Sequence, residues 1–101
     1  FFRNPEAWEA LAPVLRELTE ENRTVRIWSA PCADGREPYS VAMLAMDDDV
    51  RHHRVEVLGT DINPDILEVA RRGTYETSQT TDIEEELAPL SDYRRYIERY
   101  D

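Results

Sequence analysis

At 101 residues with a net charge of −10, 22 acidic side chains against 12 basic ones, the chain has room for at most one small domain. It is a poor partner for nucleic acid or an anionic membrane, which are themselves negative. Every basic residue is arginine, a bias that GC-rich codon usage and an extreme-halophile surface, its carboxylate repulsion screened by salt, explain equally well.

Asn4-Pro5 predicts a helix start, Asn4 as N-cap and Pro5 at the first helical position, where a missing N–H costs nothing. The helix that follows places Trp8, Leu11, Leu15 and Leu18 on one face. Pro13 lies inside it and predicts a kink or a split into two pieces. Glu20 to Arg23 is a polar turn, and Val25-Arg26-Ile27-Trp28 is the first strand. A tight turn then leads to an apolar run from Tyr39 to Met46, a helix predicted to be buried on most sides, with Met43 and Met46 as gap-filling core residues. Strand, turn and helix start in that order put a ligand at the C-terminal end of a strand, where free N–H groups of the helix receive an anion. The turn holds one glycine, Gly35. That is too few for the three-glycine dinucleotide fingerprint, so a nicotinamide dehydrogenase is disfavoured.

Pro38 suits the first turn of this helix, and Glu37, just before it, has the position of a carboxylate favouring the positive helix end. Cys32 reads as a small residue packed under the turn; no histidine lies near it in sequence, no disulfide can form within the chain, and no metal-ligand spacing occurs. Asp47 to Asp49 read as a solvated acidic cluster and His52-His53 as a solvated loop pair. Val55 to Thr60 is the second strand, ending on Asp61. An acidic residue there can accept both hydroxyls of a ribose, or can cap the next helix, although Asn63-Pro64 already supplies that cap. Asp61 follows Gly35 by about 26 positions, against roughly 20 after a Rossmann glycine cluster. The Pro64 helix ends on Arg71-Arg72, with Gly73 as its left-handed stop. Beyond it a short acidic helical piece from Asp82 to Leu87 is predicted. A last helix, Ser91 to Tyr100, carries an exposed stripe of Tyr93, Tyr96, Ile97 and Tyr100.

Three blocks in order resemble the CheR-type chemotaxis methyltransferases, which form methyl esters on chemoreceptor glutamates with S-adenosylmethionine. They are Phe1-Phe2-Arg3-Asn4-Pro5; Ile27-Trp28-Ser29-Ala30 with Cys32 and Gly35-Arg36-Glu37-Pro38-Tyr39-Ser40; and Gly59-Thr60-Asp61-Ile62-Asn63 with Leu67, Ala70, Arg71, Gly73 and Tyr75. The resemblance implies an α/β, Rossmann-like class I methyltransferase fold, here partial, with two parallel strands and flanking helices. Residues 1–101 would be an incomplete cofactor-binding domain, inactive alone. The implied cofactor is S-adenosylmethionine, held by Arg3, Glu37 and Asp61, with Glu37 on its methionine part. Arg3 is the candidate catalytic residue, orienting the reaction centre, and no metal is implied. The implied partner is the cytoplasmic domain of a methyl-accepting chemoreceptor. With no apolar run of about 20 residues and no signal-peptide pattern, the expected location is the cytoplasm, without membrane insertion. The chain departs from the family pattern at Pro31, Ala33, Asp34 and Arg36. Those departures motivate the competing expectation, a non-catalytic methyltransferase-like binding module in chemotaxis signalling.

Overall fold

In the computed structural model, residues 1–21, 24–47, 54–76 and 86–98 are described. Helix α1 spans Pro5–Glu20 and buries Trp8, Ala12, Leu15 and Thr19. It is one helix, so Pro13 does not split it. Proline inside a helix costs about 3 kcal/mol. Burial of Trp8 before it and Leu15 after it, at about 1.5–3 kcal/mol for each large side chain, outweighs that cost while Pro13 itself faces solvent. The buried Thr19 hydroxyl is satisfied by the Leu15 and Arg16 carbonyls at 2.9 and 3.1 Å. Asn4 occupies the N-cap position, but its backbone is left-handed and its side chain caps nothing. The expected side-chain cap is therefore corrected.

Strands β1 (Val25–Ser29) and β2 (Val55–Gly59) pair in parallel. A parallel pair needs a crossover, and helix α2, Arg36–Asp47, lies between the two strands in sequence. Alternation decides the faces: Val25, Ile27, Val55 and Val57 are half-buried and pack against the core formed with α1 and α2. Arg26, Trp28, Glu56 and Leu58 point the other way and are exposed. On that open face Arg26 pairs with Glu56 at 3.2 Å, and Trp28 donates its indole N–H to the Thr60 hydroxyl at 2.8 Å.

Helix α2 buries Ser40, Val41, Met43, Leu44 and Ala45. Met46 is 51% exposed and so is not the core residue expected. Asp47, expected to be merely solvated, ties the C-terminal end of α2 to the last segment. It accepts hydrogen bonds from the Ser91 N–H (2.9 Å), the Ser91 hydroxyl (2.7 Å) and the Tyr96 hydroxyl (3.0 Å). Burial raises the Asp47 pKa, but those bonds and the Arg95 charge outweigh it and hold the carboxyl below its ordinary value. The expected helix over Ser91 to Tyr100 is, among the described residues, only a 3-10 turn at Tyr93–Arg95, capped by the Asp92 side chain. The described part of its stripe is not an exposed one. Tyr93, Tyr96 and Ile97 are partly buried against the main core of Phe2, Trp8, Val41, Leu44, Leu87 and Leu90. Asp48, Asp49, His52, His53, residues 82–85 and Tyr100 lie outside the described residues.

Helix α3 (Pro64–Arg72) starts as expected: the Asn63 side chain accepts from the Asp65 and Ile66 N–H groups, and Gly73 ends it at φ 61°. None of the helices among the described residues is long and apolar enough to cross a membrane.

Candidate cofactor site

The register places the site. Ser29 pairs with Gly59, so both strands end level, and the residues after them lie side by side at one sheet edge. The Ser29 carbonyl accepts the Thr60 N–H at 3.0 Å, and the Thr60 carbonyl accepts the Cys32 N–H at 2.8 Å. Two further bonds shape the turn into α2: Gly35 N–H to the Cys32 carbonyl and Tyr39 N–H to the Gly35 carbonyl, both 3.0 Å. Cys32 is 4% exposed and packed under the turn, as its sequence context predicts.

Gly35 is required twice over. Its φ of 92° is one that other residues rarely adopt, and a Cβ there would stand 2.9 Å from the Ala70 Cβ and 3.0 Å from the Tyr75 hydroxyl. Any larger residue would push α3 away from the turn. Tyr75 holds the same turn from outside, donating its hydroxyl to the Asp34 carbonyl at 2.6 Å across 41 positions. Burial, and the neighbouring Asp34 and Tyr39, push the Tyr75 phenol up to about 12, with Arg36 opposing them.

Two of the departures from the family pattern compensate one another. The Arg36 guanidinium pairs with the Asp34 carboxylate at 3.0 Å and lies 4.9 Å from the centre of the Tyr75 ring. The negative charge that Asp34 adds to the loop is thus met by the positive charge two residues later. Sequence reading treated these positions one by one and missed their pairing.

Glu37 sits in the first turn of α2. Its Oε1 accepts the hydroxyl of the buried Ser29, at the end of β1, at 2.7 Å. That bond fixes one oxygen and leaves the other side of an exposed carboxylate open. Asp61, just past β2, accepts the Ala33 N–H at 3.1 Å through Oδ2 and the Asn63 N–H at 2.9 Å through Oδ1. With Asn63 as the cap of α3, Asp61 is not that cap. It bridges the two loops instead, and each of its oxygens keeps a lone pair for a further donor. Arg3 is exposed, and its side chain has no partner among the described residues. Its backbone is held against α2, since the Phe2 N–H donates to the Ser40 hydroxyl at 3.0 Å.

Two carboxylates beside adjacent strand ends are an acceptor set suited to a ligand with positive charge and a vicinal diol. S-adenosylmethionine has both. The nearest surface hollow, about 300 Å³ among Gly35, Pro38, Tyr39, Leu67 and Ala70, is lined by none of Arg3, Glu37 and Asp61. A larger one, about 420 Å³ at Leu87 to Arg94, is equally separate from them. Neither adds a group to the site. Among the described residues no cluster of three or more metal-ligating side chains occurs.

Comparison with known families decides the assignment: the family described as "CheR methyltransferase, SAM binding domain" matches residues 1–100. The chain belongs to the CheR methyltransferase family. The fold is accordingly the class I methyltransferase fold, seen here in part, and the cofactor of this CheR domain is S-adenosylmethionine. A chemotaxis protein methyltransferase of Listeria monocytogenes is 40% identical over 103 residues, covering 100% of this chain and 37% of that protein. A probable chemotaxis protein methyltransferase of Rhizobium etli is 44% identical, with 77% and 31% covered. A probable biofilm formation methyltransferase of Pseudomonas aeruginosa is 36% identical, with 74% and 18% covered. The chain thus spans about a third of the chemotaxis relatives named here. No solved structure matches it.

Proposed function

We propose that this CheR domain serves a protein-glutamate O-methyltransferase whose acceptor is the cytoplasmic domain of a methyl-accepting chemoreceptor, acting in the cytoplasm. The observation that carries the reading is the placement of Glu37, bonded to Ser29, and Asp61, bonded to Ala33, beside the aligned ends of β1 and β2. S-adenosylmethionine supplies an activated methyl group. Glu37 faces its positively charged methionine part, and Asp61 accepts from the ribose hydroxyls by charge-assisted hydrogen bonds. Arg3 orients the acceptor carboxylate; its guanidinium stays charged and matches a carboxylate geometrically. A carboxylate is already a nucleophile at neutral pH, so positioning rather than a strong base supplies much of the rate. The compensated Asp34–Arg36 pair and the relatives' names favour this over a non-catalytic binding module.

Residues 1–101 expose Trp28 and Leu58 on the open sheet face, at 71% and 62%. They form part of the cofactor-binding domain and are expected to transfer no methyl group alone. With radiolabelled cofactor and a receptor cytoplasmic domain, the full-length protein carrying this chain should deposit label that alkali releases, as a glutamyl methyl ester requires. Label stable to alkali would point to N-methylation. Absence of label with cofactor still bound would favour the binding module.

A further inference from the structure

Among the described residues, three that are not glycine have positive φ: Phe2 at 51°, Asn4 at 60° and Ala33 at 47°. Two of them flank Arg3. A left-handed backbone at a bulky residue such as phenylalanine is strained and persists only where the surroundings enforce it. Here the enforcing contacts can be named. The Phe2 ring is 4% exposed and meets Trp8 edge-on, with centroids 5.2 Å apart. The Phe2 N–H donates to the Ser40 hydroxyl at 3.0 Å, and that hydroxyl donates to the Arg36 carbonyl at 2.7 Å. On the other side of Arg3, the Trp8 indole N–H donates to the Arg3 carbonyl at 2.7 Å. The Ala7 N–H then closes the first turn of α1 on the Asn4 carbonyl at 3.0 Å.

These contacts fix the main chain of Arg3 from both directions while its guanidinium stays in solvent, without a partner among the described residues. The need to cover the core explains why the Phe2 ring is buried. It does not explain why the next residue is held between two strained neighbours by a serine and an indole N–H. Ser40 is fully buried, at 0% exposure, and lies one helical turn after Glu37, so the anchor of the Arg3 segment belongs to the part of α2 that carries a cofactor carboxylate.

We propose that the Ser40 hydroxyl and the Trp8 indole N–H are positioning residues for Arg3, holding its guanidinium in register with the site around Glu37. This rests on the proposed role of Arg3 in orienting the reaction centre. A shift of about 1 Å at such a group can cost on the order of 10²-fold in rate.

The test uses the full-length protein with Ser40→Ala and, because that buried site tolerates change poorly, Trp8→Phe, which keeps an aromatic ring against Phe2 while removing the donor together with part of the ring volume. Assays run well below each variant's melting temperature. Both variants should lower kcat about tenfold or more while leaving KM for the methyl acceptor within about twofold. In an Arg3→Ala background the same changes should have no further effect, since groups acting through one side chain are strongly coupled. Parental kcat in Trp8→Phe, or equal losses with and without Arg3, would overturn the positioning role and make both contacts purely structural. If Arg3→Ala alone keeps parental kcat, the role of Arg3 itself falls, a failure distinct from the first two.

Discussion

Arg3→Ala in the full-length protein is expected to lower kcat/KM for methyl transfer by about 10²–10³, the loss typical of a removed charge-stabilising donor, with little change in melting temperature. The two halves of that expectation have separate grounds. Arg3 is exposed and its side chain touches no partner among the described residues, so its removal leaves the fold's packing intact. Its backbone is nevertheless held between Phe2 and Asn4, both at positive φ, although the Arg3 side chain itself packs on nothing among the described residues that would require it. Arg3→Lys keeps the charge but loses the planar fork that matches a carboxylate, and should recover only part of the rate. Steady-state kinetics beside a melting curve check this. Parental kinetics in Arg3→Ala would remove Arg3 from the reaction centre.

The second large effect concerns cofactor affinity. Asp61→Ala should weaken S-adenosylhomocysteine binding by about 1.5–3 kcal/mol, the range for hydrogen bonds to charged groups. Asp61 also accepts the Ala33 N–H, so part of that loss would come from a loosened loop. Asp61→Asn separates the two contributions in part: an amide oxygen can still accept from Ala33, but the charge is gone and the amide nitrogen cannot accept from Asn63. An intermediate loss in Asp61→Asn is therefore expected by calorimetric titration. Equal affinity in all three proteins would leave Asp61 as a loop latch alone.

What the sequence made legible was local. Both strands, the start of α2, the Asn63 cap and the Gly73 stop follow from patterns a few residues long, and α1, α2 and α3 stand where periodicity placed them. Parallel pairing was what the family resemblance implied, and the helical run between two apolar segments is consistent with the crossover it needs. What escaped depends on contacts between distant positions. Asp47 looked like one of three solvated acids, yet Ser91 and Tyr96, more than 40 positions later, donate to it. The same segment draws Tyr93 and Tyr96 onto the core and leaves a single 3-10 turn where tyrosine spacing suggested a helix. Pro13 was weighed by its own cost, without the burial of Trp8 and Leu15 on either side. For the site, Arg3, Glu37 and Asp61 were named from the sequence, but their supports were not: Ser29 behind Glu37, Ala33 against Asp61, Ser40 and Trp8 around Arg3. Ser40 gave one faint signal. It is a polar residue in an otherwise apolar helical run, and its hydroxyl is used twice.

The central claim is that one cofactor site is assembled where β1 and β2 end. Mapping backbone amides of the full-length protein during titration with S-adenosylhomocysteine tests it most directly. The account predicts that the largest shifts fall on Ala33, Gly35, Glu37 and Asp61, with smaller ones at Arg3. Saturable binding that leaves those amides unmoved, and shifts others instead, would contradict it.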